Sequence, residues 1–509
     1  MSIFGNILKR TLSIGDAIKP TFLTPVQIQE KTLRRLLLEA QFTSFGRHYH
    51  FRDLLKHANL IEAFQKAVPV HDYNKMHDEW WQLQLKGHDF ITWSSKIQYY
   101  GLSSGTSGAP SKFIPESEEM LRSMRKAGYK MFFKMAKQQG ISSDIFTKDF
   151  LMIGGTTTLN DHGKYFSGDL SGINASLAPF WFRRYRPGKK IAKIKDWNAR
   201  LEEIARKAPK WDIVAAMGLP SWVQLVLEKV IEYHKLDNIH QIWPNFQIFV
   251  SGGIALDPYK SSLNKLFDKP VLYADTYLAS EGFIAFQTHP DARGMSMVLN
   301  NGIFYEFIPF DENNFDDNGL PQANAEVLTI NEVKENVDYA LLLTTNAGSW
   351  RYLLGDTIRF INVVEAQIII SGRTKHFISI CGEHLSVDNM TCAIQYAQEQ
   401  MNISIPEFTV LSKKADSHFS HLWYIGSTDV IDLQKFNKNI DDFLKSINDD
   451  YAAERDAMLQ APNAIIVEPK VFYKYLEKEG KSMGQSKFPR VLKGVQIYAW
   501  EDYLQQFKN

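Results

Sequence analysis

A run of Gly, Ser and Thr residues just after residue 100 carries the strongest chemical signal in the sequence. It is followed closely by Lys112. Glycines let a backbone approach a polyanion closely, so that N–H groups and hydroxyls donate to phosphate oxygens while a lysine supplies positive charge. The run follows a β-like stretch and precedes a helix-like one, which is where anion-binding loops lie. We therefore predict a phosphate-binding loop made of Ser103, Ser104, Gly105, Thr106, Ser107 and Gly108.

Two other motif interpretations compete for parts of the chain. Residues 101–105 fit G-x-S-x-G, the nucleophile elbow of serine hydrolases, which needs a helix directly after its serine. Gly108 and Pro110 favour a continuing loop there, so the hydrolase is the weaker interpretation. Residues 480–482 resemble the end of a Walker A loop, but Tyr475 stands where the first glycine belongs. We reject the Walker A loop.

Two later segments contain side chains suited to a nucleotide. In residues 277–282, a tyrosine face can stack on adenine, a serine can donate to phosphate and a glutamate can hold Mg²⁺. In residues 352–356, an aspartate after a glycine turn can accept the hydroxyls of a ribose. Alone, the first segment also fits a helix start and the second a turn aspartate bonded to its own backbone. Residues 372–376 alone also fit a charged linker.

The hydrophobic pattern predicts the elements that must position these segments. A chain of 509 residues is too long for one ordinary core. Strand-like and helix-like stretches alternate through the middle, which predicts a parallel sheet with crossovers. Residues 295–370 have short strands and turns, which predicts an antiparallel or barrel-like section. We predict an α/β fold with a large N-terminal domain of mixed sheets at residues 1–372 and a small α+β lid domain at residues 373–509.

Charge and composition narrow the choice of partners and compartment. Lys plus Arg is 58 and Asp plus Glu is 57, a net charge of +1, so nothing indicates a nucleic-acid partner. Cys381 and Cys392 exclude a disulfide framework and fit a reducing compartment. We expect no signal peptide and no membrane span. The chain is therefore expected to be cytoplasmic, with neither a membrane nor a nucleic acid as partner; its oligomeric state is open.

The order of the segments resembles that of the adenylate-forming superfamily, which includes acyl-CoA synthetases, peptide-synthetase adenylation domains and luciferases. The loop at Ser103 resembles its phosphate loop. Residues 277–281 resemble its Tyr-Gly-x-Thr-Glu motif, with substitutions at the second and fourth places. Residues 352–356 match its Tyr-x-x-Gly-Asp motif, and residues 373–375 look like its hinge.

A closer resemblance is to the auxin-responsive (Gretchen Hagen) family of acyl-acid amido synthetases. This family is known from plants and has bacterial members, and the resemblance implies that this chain is a bacterial member. It is carried by the Ser-Ser-Gly-Thr-Ser start at Ser103 and by Ile-Pro at residues 114–115. Ala-Ser-Glu-Gly at residues 279–282 and Gln-Ser-Lys-Phe-Pro-Arg at residues 485–490 add to it. The resemblance extends over residues 100–490, and the combination of motifs is specific although no single motif is.

The resemblance implies a role for each matching residue. The loop at residues 103–108 would hold the β- and γ-phosphates of ATP, and Tyr277 would cover the adenine face. Lys487 departs from the superfamily's usual local pattern, so a surface lysine without a catalytic role stays open there. The other implied roles are backbone contacts to adenine from Ser251, Gly252 and Gly253, phosphate contact from Ser280, Mg²⁺ binding by Glu281, ribose binding by Asp356 and Arg373, a hinge at Lys375, and catalytic cations at Lys112 and Lys487.

The implied reaction is the ATP-dependent adenylation of a carboxylic acid, followed by transfer of the acyl group to an amine, usually an amino acid in that family. The attacking carboxylate and the α-phosphate are both anions, so Mg²⁺ and a lysine are needed to neutralise the transition state. ATP and Mg²⁺ are the expected cofactors. Two alternatives stay open: an acyl-CoA ligase that uses the same adenylate, and a nucleotide-binding protein without enzymatic activity.

Overall fold

The structure is a computed structural model of the 509-residue chain. It describes residues 23–103, 112–138, 145, 147–154, 157–177, 185–194, 196–252, 256–289, 292–316, 319–374, 377–378, 385–415, 418–448, 451–452, 455, 459–479 and 488–507. The described residues divide into two compact units. The first contains those before residue 255 and those of residues 268–369, and the second contains residues 256–267 and those from Ile370 onward.

The described elements are bounded as follows. The helices are α1 (Pro25–Ala40), α2 (Ser44–His48), α3 (Phe51–Leu54), α4 (Leu60–Ala67), α5 (Tyr73–Met76), α6 (Gln82–Leu85), α7 (Glu118–Gln138), α8 (Leu170–Ser176), α9 (Lys189–Ala192), α10 (Trp197–Lys207), α11 (Pro220–His234), α12 (Asp257–Asn264), α13 (Val387–Met401), α14 (Leu433–Ile447), α15 (Pro469–Lys478) and α16 (Val495–Gln505). The strands are β1 (Tyr99–Ser103), β2 (Lys112–Glu116), β3 (Asp149–Met152), β4 (Asn160–Asp161), β5 (Phe166–Gly168), β6 (Tyr185–Arg186), β7 (Ile213–Gly218), β8 (Ile248–Gly252), β9 (Leu272–Ala279), β10 (Gly282–Phe286), β11 (Met295–Met297), β12 (Ile303–Pro309), β13 (Asp338–Thr345), β14 (Tyr352–Asn362), β15 (Gln367–Arg373), β16 (Phe377–Ile378), β17 (Leu385–Ser386), β18 (Glu407–Ala415), β19 (His418–Gly426), β20 (Asn463–Val467) and β21 (Val491–Leu492).

One large mixed sheet organises the first unit. It has eleven strands in the order β12-β13-β14-β15-β11-β10-β9-β8-β7-β3-β6. From β9 to β6 the neighbouring strands run parallel, and from β9 through β14 the pairings are antiparallel where register is defined. The predicted α/β class and the parallel part are thereby confirmed. The section predicted as antiparallel or barrel-like continues this sheet with antiparallel pairings in the described residues.

The sequence predicted a strand before the Gly/Ser/Thr run and a helix after it. In the structure, a second strand lies between the run and the helix, and it forms a β-hairpin with the first strand. Strands β1 and β2 pair antiparallel, with Ser103 opposite Lys112. The helix expected from residue 116 begins at Glu118, because the hydroxyl of Ser117 accepts a hydrogen bond from the backbone N–H of Met120 and so caps the helix. The predicted helix is therefore present, but the strand β2 that precedes it was not predicted.

Helix α7 covers part of the large sheet. It contributes a stripe of buried methionines and leucine, and these pack in one core with Phe283 and Ile284 of β10. The stripe consists of Met120, Leu121, Met124, Met131 and Met135. Their spacing of three, four or seven residues puts them on one helix face, which explains why this face turns toward the sheet.

A buried ion pair joins the N-terminal helices to the sheet. Arg351 lies just before β14, and its guanidinium contacts Glu306 of β12 at 3.0 Å, with the two side chains only 5% and 1% exposed. The same guanidinium donates to the carbonyl oxygens of Gln65 at 2.8 Å and Val68 at 2.6 Å, at the end of α4. The start of β14 is therefore held from two sides.

The second unit contains a four-stranded sheet in the order β20-β19-β18-β21 and the helices α13 and α14. Within it, the hydroxyl of Tyr259 on α12 donates to Glu407 at 2.5 Å, and Arg490 donates to the other oxygen of that carboxylate at 2.8 Å. The predicted boundary at residues 372/373 and the role of this unit as a lid stay predictions. No helix in the described ranges is long and apolar enough to cross a membrane.

Substitution of Glu306 by Gln should destabilise the first unit, since it leaves the buried guanidinium of Arg351 without its carboxylate partner. We expect a loss of about 3 kcal/mol in the free energy of unfolding. Urea unfolding followed by tryptophan fluorescence measures this loss. Glu326→Gln, at an exposed position, is the matched control and should change stability by less than about 0.5 kcal/mol. Equal stability of the two variants would show that the pair does not hold the helices to the sheet.

Candidate functional site

The Ala-Ser-Glu-Gly segment forms the turn between β9 and β10. Ala279 pairs with Gly282, so Ser280 and Glu281 are the turn residues. Gly282 has a φ of 149°, a region that side chains disfavour, and a Cβ there would lie 2.5 Å from Cδ1 of Ile303. The interpretation of this segment as a helix start is wrong, because the chain reverses as a hairpin. The turn buries Glu281, whose residue surface is 7% exposed.

Tyr277 and Asp356 are in direct contact, as the sequence interpretation requires of two segments that serve one nucleotide. The hydroxyl of Tyr277 on β9 donates to Oδ2 of Asp356 on β14 at 2.7 Å. Tyr277 is only 4% exposed. Strands β15, β11 and β10 lie between β9 and β14 in the sheet, so this bond connects side chains from non-adjacent strands. It also corrects the idea of Asp356 as a turn residue bonded only to its own backbone.

The segments at residues 277–282 and 352–356 also come together at Glu281. Tyr352, at the start of β14, lies close enough to Glu281 for the two side chains to interact electrostatically. Burial raises the pKa of Tyr352 well above its usual value, and the negative charge of Glu281 raises it further. Tyr352 therefore remains a neutral hydrogen-bond donor at any physiological pH.

Glu116, a residue that the sequence interpretation did not select, lies beside these side chains. It ends β2 and is 1% exposed, and neither carboxylate oxygen has a hydrogen-bond partner among the described residues. Burial raises its pKa well above the usual range, and the Glu281 charge adds to the effect. A Cβ on Gly101 would lie 3.1 Å from Oε1 of Glu116 and 3.5 Å from Cβ of Ser280. Glu116 and Ser280 thus approach the same glycine of β1.

Ser251 and Gly252 form the carboxyl end of β8, beside β9. Gly252 pairs with Thr276, whose hydroxyl donates to the carbonyl oxygen of Ser251 at 2.8 Å. A Cβ on Gly252 would lie 2.8 Å from that hydroxyl oxygen, so the glycine permits the close approach. The hydroxyl of Ser251 is fully buried and has no partner among the described residues. Carboxyl ends of parallel strands are where α/β sheets bind ligands, and Tyr277 follows Thr276 there.

The remaining predicted residues are placed as follows. Lys112 begins β2, and its ammonium lies 5.3 Å from the ring centroid of Tyr73. Ser103 ends β1, and Arg373 ends β15 in the second unit with an exposed side chain. Their roles stay predictions. Outside the described residues lie Ser104, Gly105, Thr106, Ser107, Gly108, Gly253, Lys375 and Lys487.

The donor set fits a hard divalent cation that is shared with a phosphorylated ligand. Among the described residues, no group of three or more His, Cys, Asp or Glu side chains could hold a metal by itself. Glu281 and Glu116 supply carboxylate oxygens from two elements. Mg²⁺ typically takes one or two protein carboxylates and completes its coordination with water and substrate phosphates. The residues present therefore fit Mg²⁺ bound together with a nucleotide.

Family models match along the chain in three consecutive parts. The GH3 family N-terminal domain matches residues 18–202, the GH3 family central domain residues 296–369, and the GH3 family C-terminal domain residues 388–496. Among curated proteins, the jasmonoyl–L-amino acid synthetase JAR6 of Nicotiana attenuata is 22% identical over 403 residues, which is 65% of this chain and 66% of the relative. The match thus spans just under two thirds of that relative's length.

Solved structures show the same fold. The GH3.15 acyl acid amido synthetase superposes with a TM-score of 0.75 at 16% identity, covering 97% of this chain and 96% of the other. The 2-hydroxyisobutyryl-CoA ligase in its postadenylation state superposes with a TM-score of 0.60 at 14% identity, covering 94% and 92%. The predicted adenylate-forming fold is confirmed by these likenesses.

Substitution of Tyr277 by Phe should reveal how much the hydrogen bond to Asp356 contributes to the stability of the protein. The variant keeps the buried ring and removes only the donor, so we expect a loss of about 2 kcal/mol in the free energy of unfolding, the size typical of a hydrogen bond to a charged group. Tyr233→Phe is the matched control because this ring is 42% exposed. Chemical denaturation compares the two variants. A Tyr277→Phe variant as stable as the control would contradict the assigned bond.

Proposed function

The chain belongs to the GH3 family, and on this premise we propose that it adenylates a carboxylic acid with ATP and transfers the acyl group to an amine, namely an amino acid, to form an amide. The name of the relative JAR6 describes the conjugation of an acid to an amino acid. One observation carries the proposal: Tyr277 donates a hydrogen bond to Asp356, so that two motifs far apart in sequence contribute to one site.

In the first half-reaction, Asp356 would accept the ribose hydroxyls. Its Oδ2 already accepts from the hydroxyl of Tyr277, and this bond fixes the plane of the carboxylate. The backbone at Ser251 and Gly252 would contact the adenine, next to the strand that carries Tyr277. These contacts hold the nucleotide by parts that do not react, and such binding positions the α-phosphorus for attack.

Glu281 would hold the cation, and Ser280 in the same turn would face the α-phosphate. Glu281 is buried, and Tyr352 lies near it. When bound, Mg²⁺ would supply positive charge that offsets the repulsion between the triphosphate and the incoming carboxylate. Lys112 would add a second positive charge, and its place opposite Ser103 at the start of β2 supports this.

The second half-reaction requires that water be excluded, since an acyl-adenylate is a mixed anhydride. We extend the proposal to the second unit as the lid, with a domain boundary at residues 372/373, a hinge at Lys375 and a cation at Lys487. Arg373 would assist at the ribose. The loop at residues 103–108 would hold the β- and γ-phosphates. These roles rest on the resemblance of the motifs. ATP and Mg²⁺ as cofactors, a cytoplasmic location, and the absence of membrane and nucleic-acid partners belong to the same proposal.

An acyl-CoA ligase is the second candidate function, because such an enzyme uses the same adenylate. The likeness to 2-hydroxyisobutyryl-CoA ligase favours it, although the TM-score of 0.60 is lower than the 0.75 found for the amido synthetase. The two candidates share the first half-reaction and differ in the nucleophile that follows.

Pyrophosphate exchange into ATP tests the first half-reaction. We expect exchange that depends on one class within a panel of carboxylic acids. The purified protein with the active acid is then given amino acids or coenzyme A, and the products are identified by mass spectrometry. An acyl amino acid supports the proposal, whereas a thioester would replace it by the second candidate. ATP binding without exchange for any acid in a broad panel would contradict both.

Glu281→Gln should reduce acid-dependent pyrophosphate exchange by about 100-fold or more, because a neutral amide replaces the carboxylate that holds the cation. The control is Glu118→Gln, an exposed residue at the start of α7 that loses the same charge. Both variants should unfold at temperatures close to that of the native chain. Exchange by Glu281→Gln at the control's rate would remove Glu281 from the mechanism.

A further inference from the structure

We propose that Glu116 is a second protein ligand, beside Glu281, of the divalent cation in this site. The inference rests on the proposed function insofar as Glu281 binds that cation. It adds a carboxylate to the site that the sequence motifs do not contain, since Glu116 lies at the end of β2 and outside each of them.

The first step is the state of the Glu116 side chain. The residue is 1% exposed, and both carboxylate oxygens lack a hydrogen-bond partner among the described residues. Buried polar atoms in native proteins are nearly always bonded to protein, water or an ion, so two unpartnered oxygens on one carboxylate demand an explanation. No ion pair joins Glu116 to a lysine or arginine of the described ranges. A bound cation supplies the missing partner.

The second step is the direction of the carboxylate. Oε1 lies 3.1 Å from where a Cβ on Gly101 would stand, and Cβ of Ser280 lies 3.5 Å from the same point. Gly101 has no side chain, so Glu116 and the β9–β10 turn can both approach it closely. Glu281 is the next residue of that turn, and its charge acts on Glu116. The two glutamates therefore lie near each other on two different elements.

The third step is the choice of cation. Two carboxylates brought together away from water repel each other unless one of them is protonated or a positive charge lies between them. Carboxylate oxygens are the ligands of Mg²⁺ and Mn²⁺, and two of them leave the other coordination positions to phosphate oxygens and water. A hard divalent cation that arrives with the triphosphate fits this set. Glu116 would then hold it from the β1–β2 hairpin, and Glu281 would hold it from the turn.

The test measures Mn²⁺ binding to the full chain in the presence of a non-hydrolysable ATP analogue, by electron paramagnetic resonance. Glu116→Gln keeps the shape of the side chain and removes its charge; Glu118→Gln is the matched control, and Glu281→Gln is the reference. We expect at least about a tenfold weaker affinity for Mn²⁺ in Glu116→Gln and no change in the control. A rise of the unfolding temperature with added Mg²⁺ should be smaller in Glu116→Gln than in the native chain.

Three outcomes would overturn the inference. In the first, Glu116→Gln binds Mn²⁺ with native affinity while Glu281→Gln loses it. Glu116 would then be a protonated acid that a neutral amide can replace, and the proposed function would remain intact. A lower unfolding temperature of Glu116→Gln in EDTA would make its carboxylate a structural group instead. No Mn²⁺-dependent binding of the analogue by the native chain, together with no pyrophosphate exchange, would remove the proposed function as well.

Discussion

The turn at Ser280 and Glu281 is the constraint on which the rest of the first unit depends. Here the large sheet changes from parallel to antiparallel pairing, because β9 runs parallel to β8 and the turn sends β10 back beside it. Gly282 makes the reversal possible with its φ of 149°. Tyr277 precedes the turn and Glu281 lies in it. The same reversal therefore builds the sheet and places the chemistry.

A tyrosine hydroxyl holds one of the acidic side chains in this site. Tyr277 donates to Oδ2 of Asp356 at 2.7 Å. A neutral donor fixes a carboxylate in position and leaves its full negative charge for another partner. An arginine or lysine in the same place would have compensated that charge in advance. The Tyr277–Asp356 bond thus orders this carboxylate without itself supplying a positive charge.

The sequence supported the fold and a good part of the site for identifiable physical reasons. Helix periodicity predicted α10 at residues 197–207 with its observed bounds, and the motif residues Tyr277 and Asp356 were recognised by type and order. The strand β2 was missed because its five residues lie between a loop and a helix, and local pattern alone cannot separate so short a strand from a helix start. Glu116 was missed with it. Its carboxylate is notable only through its burial, a property of tertiary packing.

The position of α12 has a consequence for how such chains can be divided or recombined. This helix follows β8 in sequence, yet its Tyr259 bonds Glu407 in the second unit, where Arg490 completes the cluster. A fragment that starts at residue 370 would lack Tyr259 and leave a buried carboxylate with one donor fewer. A single crossover between relatives near that residue would pair α12 from one parent with the unit of the other. Evolution can therefore exchange the C-terminal unit only if the surfaces around α12 change in step with it.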